Sequence, residues 1–226
     1  MNIKLFQFPQ KAEFGRVVPK SKIYEHARPT RSVRQRFVDE VSQIVWQYKL
    51  SPETINLPAR KAVPEIQVFG ITLKSEELSE SVLRAIDKAI PFPILFELTS
   101  VGSKQQERIN TVMAYKRPSD AETSGWVVDA YFESGWQSAS TARQPLPVAS
   151  HLGGLYEQLL RTLITLPARE GESLRKQVER IAAIRSKESQ RKKLEQQLKR
   201  EPQFNRKVEL NGQLRRLKDK LDSLRR

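Results

Sequence analysis

The residues best equipped for chemistry in this 226-residue chain are its cations. Toward the C-terminus they come in clusters: Arg191-Lys192-Lys193, Lys199-Arg200, Arg206-Lys207, Arg215-Arg216 and Arg225-Arg226. Residues 169–226 hold 19 Lys/Arg against 9 Asp/Glu, a net of +10, too many cations for the segment to neutralise itself. A Lys/Arg-rich helix can simply be a solvated face. An excess of this size instead suits a polyanion, because each phosphate contacted releases counterions and gives salt-sensitive, sequence-independent affinity. Phe204 is the only aromatic residue of the segment, so contact with the phosphate backbone is expected rather than base stacking. Lys20, Lys22, Lys116 and Arg117 offer a second, smaller patch, for which ordinary strand-end charge is the competing reading.

Catalytic chemistry is harder to find. Gly102-Ser103-Lys104 lacks the upstream glycine of a phosphate-binding loop, and His151-Leu152-Gly153-Gly154 is not a dinucleotide fingerprint. There is no G-x-S-x-G elbow. The only histidines, His26 and His151, form no metal-binding motif, and a lone loop histidine such as His26 most often has surface duty. The enzyme alternative is a divergent Mg²⁺-dependent nuclease, in which strand carboxylates would hold the metal. Glu65, Glu97 and Asp129 are its candidates, although no Asp or Glu has a lysine two positions later. No catalytic residue, metal or other cofactor is therefore assigned.

The chain has no cysteine, which excludes disulfides, thiolate zinc sites and a cysteine nucleophile and fits a cytoplasmic protein. No apolar run approaches the length of a membrane span, and the first eight residues do not read as a secretory signal. Charge is uneven. Residues 1–36 carry 9 Lys/Arg against 2 Asp/Glu, and residues 37–168 carry 12 against 15. A near-neutral domain with basic ends is the expectation.

The elements that must position these residues follow from periodicity. Residues 1–30, punctuated by Pro9, Pro19 and Pro29, read as extended. Ser32 and Gln35 suggest a capping box opening a helix whose apolar face (Phe37, Val41, Ile44, Val45, Tyr48) runs to Leu50. A short strand is expected over Thr54–Leu57 and a longer one over Glu65–Lys74, with a bulge at Gly70 where the alternation changes phase. Ser75 caps a second helix whose stripe is Leu78, Val82, Ile86 and Ile90, closed by Pro91. Ile94–Leu98 reads as a central strand, and Arg108–Lys116 and Trp126–Glu133 as a hairpin joined by 117–125. Gln137–Ser150 is a loop, and Leu152–Leu166 a helix with a wide apolar face.

Beyond residue 169 helix formers dominate. Leu210, Leu214, Leu217, Leu221 and Leu224 are spaced 4, 3, 4, 3, an interaction seam of about two heptads. With Pro202 between two helical stretches, a hairpin is favoured over one long rod. The expected architecture is α+β: residues 1–166 form a mixed sheet of about five strands flanked by helices. Residues 169–226 follow as a basic helical hairpin or short coiled coil.

Several segments recur together in a known family. They are Pro19-Lys20-x-x-Ile23-Tyr24-Glu25, Trp46-x-Tyr48-x-Leu50-x-Pro52-x-Thr54-Ile55-Asn56, Ala89-Ile90-Pro91-Phe92-Pro93 and Ala114-Tyr115-Lys116-Arg117, with Gln203-Phe204-Asn205-Arg206-Lys207-Val208-Glu209 in the tail. In this order the chain resembles the prokaryotic family catalogued as domain of unknown function 4391. The resemblance brings no catalytic set. It implies genes lying beside helicase and DNA-methyltransferase genes, in loci similar to restriction-modification and anti-phage systems, an association rather than a chemistry.

The leading expectation is a non-catalytic accessory subunit of such a complex, binding duplex DNA without sequence preference. It would dock to a helicase or methyltransferase from the same locus. The divergent nuclease is the first alternative. A scaffold whose leucine tail forms homo-oligomers is the second.

Overall fold

A computed structural model describes residues 5–102, 106–118 and 126–226 of the chain. It falls into two compact units, residues 1–164 and 165–226. The expected turn over 117–125 lies outside the described residues from 119 onward.

The N-terminal segment is more structured than its prolines suggest. Strand β1 (Leu5–Gln7), a 3₁₀ turn (Gln10–Ala12) and strand β2 (Glu13–Val17) lead into helix α1 (Lys20–Ala27). Pro19 occupies the N-cap position with φ −63°, and Ile23 and Ala27, one turn apart, are buried. Two apolar residues make a stripe too short to register as a period.

Helix α2 (Arg31–Glu40) is capped by Thr30, whose hydroxyl accepts from Val33 N, rather than by Ser32. The helix does not reach Leu50: residues Val41–Leu50 form strand β3. The apolar positions of this stretch suit either period, but Val41, Ile44, Val45, Trp46 and Tyr48 are β-branched or aromatic. The junction has no loop because lysines satisfy the last helical carbonyls: Lys20 Nζ donates to Phe37 O (2.7 Å) and Val41 O (2.6 Å), and Lys74 Nζ to Val38 O (2.8 Å).

The expected strand at Thr54–Leu57 is instead a one-turn helix, α3 (Pro52–Ile55). Ser51 and Thr54 form its capping box, Pro52 enters the first turn, and Asn56 ends it at φ 54°. Strand β4 (Ile66–Leu73) lies where expected but is buried along nearly its whole length, so its alternation does not change phase. The bulge is not at Gly70, which pairs regularly with Val45, but on β3, where the register shifts between Trp46 and Tyr48, opposite Phe69 and Val68. A Cβ on Gly70 would lie 2.5 Å from Gln47 Nε2, so the glycine makes room for the side chain that the bulge adds.

Helix α4 (Glu80–Ala89) starts after Ser79, not Ser75. The Ser75 hydroxyl is spent on Glu77 O, whereas Ser79 donates from N (2.7 Å) and Oγ (2.6 Å) to the Glu40 carboxylate, which thereby sits at the positive end of α4. Strand β5 (Ile94–Val101), strand β6 (Glu107–Pro118) and strand β7 (Trp126–Glu133) follow, the last two as the expected antiparallel hairpin. Within the expected loop lie two short strands, β8 (Gln137–Ser138) and β9 (Arg143–Pro145), before helix α5 (Leu152–Leu163).

The sheet order is β2-β3-β4-β5-β6-β7, with β8 pairing the start of β6. Only β4 and β5 are parallel, joined through α4, so the sheet is mixed. β1 and β9 form a separate parallel pair. One sheet face (Phe69, Ile71, Ile94, Phe96, Leu98, Val112) packs with residues of α1, α2 and α4. The opposite face carries α5, whose Leu155, Tyr156, Leu159 and Leu160 are buried. Glu97 lies on that second face in mid-β5, where Arg143 of β9 holds both its oxygens at 2.6 and 2.9 Å and also bonds Phe6 O. This ties the small β1–β9 pair to the sheet.

His151 caps α5: its Nδ1 accepts from Gly154 N at 2.9 Å, which requires that nitrogen to be unprotonated. Replacing it by alanine is expected to cost about 1 kcal/mol, the usual loss for an N-cap, read as a lower urea midpoint at neutral pH.

Candidate nucleic-acid interface

The second unit is built from two helices. Helix α6 (Leu174–Arg200) starts at Ser173, whose hydroxyl accepts from Lys176 N, and helix α7 (Phe204–Arg225) follows after Glu201-Pro202-Gln203. Proline lacks the N–H needed to continue α6. The two helices run antiparallel and pack on each other: Arg225 pairs with Glu188 at 2.6 Å, while Arg200 and Arg206 line one small pocket beside the turn. Leu214, Leu217 and Leu221 are buried, and Leu210 and Leu224 half-buried, so the leucine seam is spent inside the hairpin.

The open end is closed by arginines not singled out from the sequence. Arg169 donates to Ser223 O and Leu224 O and Arg180 to Leu224 O, satisfying terminal carbonyls of α7, and Arg180 also donates to Pro167 O ahead of α6. Arg180 also makes a two-point contact with Glu172, at 2.7 Å to each oxygen. The Arg180 guanidinium holds the Glu172 carboxyl down to about 2, helped by the Arg169 N–H. A carboxylate whose pKa is lower in the folded state stabilises it above the unfolded value of about 4.3 and loses that contribution as the pH falls. Hydrogen exchange over residues 174–225 should therefore quicken as the pH drops through about 4 toward 2, beyond its intrinsic pH dependence. Glu172→Gln should abolish that excess.

The arm cations are placed to meet solvent. Lys192, Lys193, Lys199, Arg200, Lys207, Arg215 and Arg216 are exposed and have no ion pair among the described residues. Arg191 leans on Glu195 and Arg206 on Glu201, both at 3.5 Å, contacts that a phosphate can displace. Arg185, Lys192 and Lys199 stand seven residues apart, hence on one exposed face of α6. That row could have been read from the heptad spacing rather than from adjacent doublets.

The patch expected on the first unit does not form. Lys116 is buried: its Nζ lies 2.6 Å from Asp87 Oδ1 and donates to Asp87 O, Ile90 O and Phe92 O around the end of α4. Tyr131 donates to the other Asp87 oxygen. Burial pushes the Asp87 carboxyl up and the Lys116 ammonium down, each opposed by its partner's charge. Lys20 is committed to the end of α2, where burial, and secondarily Lys74, lowers its pKa. Lys22 is exposed beside Glu25, and Arg117 pairs with Asp129 at 2.8 Å. Lys116 and Lys20 read as strand-end and loop charges only because the carbonyls they serve are distant in sequence.

The candidate metal carboxylates do not converge either. Glu65 pairs with Lys49, Glu97 with Arg143 and Asp129 with Arg117. Among the described residues no three His, Asp or Glu side chains are grouped to hold a metal, and no helix is long and apolar enough to cross a membrane.

No curated protein and no solved structure matches the chain. Residues 6–221, which take in both the sheet unit and nearly all of the hairpin, match one family along their whole length, and the chain belongs to it: the domain of unknown function (DUF4391).

Proposed function

We propose that the chain is a non-catalytic accessory subunit that binds DNA through the phosphate backbone, using the C-terminal hairpin. The observation that carries this reading is the set of exposed, unpaired lysines and arginines on α6 and α7, within a segment of net charge +10. Phosphate contacts position a protein on duplex DNA without reading sequence, and two short helices can supply several. The setting is proposed to be a restriction-modification-like or anti-phage complex, with a helicase or methyltransferase as partner. Phe204 and Val208, exposed by 77% and 55% and one turn apart on α7, support a protein contact beside the cations. Self-association through the leucine seam has less support, since the hairpin already buries the seam.

The test is a fluorescence-anisotropy titration of the full-length protein against two duplexes of unrelated sequence. Similar micromolar affinities at low salt are expected for both. A marked preference for one duplex would overturn backbone-only recognition, and absence of binding would overturn DNA as the partner.

A further inference from the structure

The turn between α1 and α2 holds arginines outside the small patch expected on the first unit. Helix α1 ends at Ala27, Arg28-Pro29-Thr30 makes a three-residue turn, and α2 begins at Arg31. Residues 26–36 contain four arginines and no Asp or Glu. Phe37 of α2 is fully buried and lies edge-on to Tyr24 of α1, with ring centroids 5.4 Å apart. This contact fixes the pair while the other side of α2 faces solvent: Arg31, Ser32, Arg34 and Gln35 are exposed. Two helices joined by so short a turn are a common way of presenting a helix to duplex DNA.

Tyr24 draws the arginines together. Its carbonyl accepts from Arg28 N at 3.0 Å, and its ring lies under the Arg34 guanidinium, 5.3 Å from the centroid. Arg31 and Arg34, three residues apart, are neighbours along α2. The stack on Tyr24 restrains the Arg34 fork, which suits two-point contact with a phosphate. Carboxylates close in sequence are engaged elsewhere: Glu25 with Lys22, Asp39 with Gln35, and Glu40 with Ser79. Arg36 points another way and donates to Ser79 Oγ at 2.7 Å.

Arg28 supplies an independent observation. Its φ of 48° lies in the left-handed region, where a helix end ordinarily places glycine. Among the described non-glycine residues only Arg28 and Asn56 have a positive φ, and asparagine enters that region far more readily than arginine. The arginine is thus kept against a local backbone cost. Its side chain is nevertheless exposed and makes no ion pair or hydrogen bond among the described residues. A side chain held at such a position and left idle by the fold points to a use outside it.

We propose that the α1–α2 turn is a second phosphate-contacting surface, in which Arg28, Arg31 and Arg34 meet the backbone of duplex DNA. It rests on the reading of the chain as DNA-binding, and not on the hairpin's share in that binding.

The experiment titrates the full-length protein against one duplex over a range of salt concentrations, by fluorescence anisotropy. Replacing Arg28 with glycine and Arg31 and Arg34 with glutamine should lower affinity about tenfold or more at about 50 mM salt. The salt slope should become shallower by about 0.9 for each phosphate lost. Arg28→Gly alone should lower affinity by about threefold while its urea midpoint holds or rises, because glycine relieves the left-handed backbone. A purely structural Arg28 would not give that combination. If the triple variant fails to fold, Arg28→Gly and Arg31→Gln decide the matter. Wild-type affinity in the folded variants, or weaker binding with an unchanged salt slope, would overturn this inference and leave the hairpin reading standing. A loss in the triple variant, with none on replacing Lys192, Lys193, Lys199, Arg200, Arg215 and Arg216 by glutamine, would support the turn and overturn the hairpin's role. No duplex binding by the wild type would overturn both.

Discussion

Asp87→Ala is expected to destabilise the protein by about 3–5 kcal/mol, a large share of the stability of an ordinary domain. Asp87 and Lys116 are both fully buried, and removing the carboxylate leaves an ammonium group inside the fold without its counter-charge. The carbonyls of Asp87, Ile90 and Phe92 still accept from Lys116, so the loss should fall in this range rather than beyond it. Lys116→Met should be comparably costly, because it leaves the buried Asp87 without its counter-charge and those carbonyls without their donor. Tyr131→Phe, which removes a neutral donor to the same carboxylate, should cost less, about 1.5–3 kcal/mol. The double change Asp87→Leu with Lys116→Met should be milder than the sum of the single changes, since it leaves neither charge unpaired. Urea denaturation monitored by circular dichroism measures all four. A Lys116→Met protein as stable as the wild type would show that Lys116 is not part of the core, and a fold-neutral loss of DNA affinity in that variant would return it to the interface.

Neutralising the hairpin should have the largest functional effect. Replacing Lys192, Lys193, Lys199, Arg200, Arg215 and Arg216 together with glutamine removes six exposed charges without touching Leu214, Leu217 or Leu221. If most of the six contact phosphates, duplex affinity at about 50 mM salt should fall by at least about a hundredfold, since each contact contributes through counterion release. Circular dichroism should show the helices intact, because none of the six makes an ion pair within the described hairpin. A control with Lys22 and Arg117 replaced should lose far less, as both already face a carboxylate.

What was legible in the sequence divides along physical lines. Strands β4 to β7 and helix α5 follow from local pattern: Ile94–Leu98 is apolar throughout except for Glu97 and lies mid-sheet, and Leu152–Leu160 keeps a helical stripe. The hairpin was legible for the same reason, from leucine spacing on the far side of a proline. Val41–Leu50 misled because its apolar residues fit a helical period while their shapes fit a strand, and only tertiary pairing with β4 decides. The β1–β9 pair joins residues 5–7 to 143–145, a separation no local pattern encodes.

The site divides in the same way. Exposed cations on amphipathic helices can be read from the outside-facing positions alone. Lys20, Lys116 and Arg180 cannot, because what distinguishes them is a set of carbonyls brought close by folding.

The central claim, that the hairpin reads phosphates, is tested most directly by the salt dependence of duplex binding. The logarithm of the association constant is to be plotted against the logarithm of salt concentration for the wild type and the six-glutamine variant. A steep linear fall is predicted for the wild type, and for the variant a slope shallower by about 0.9 for each phosphate that it no longer neutralises. Equal slopes and affinities in the two proteins would contradict the account and assign the arm's charge to some other purpose.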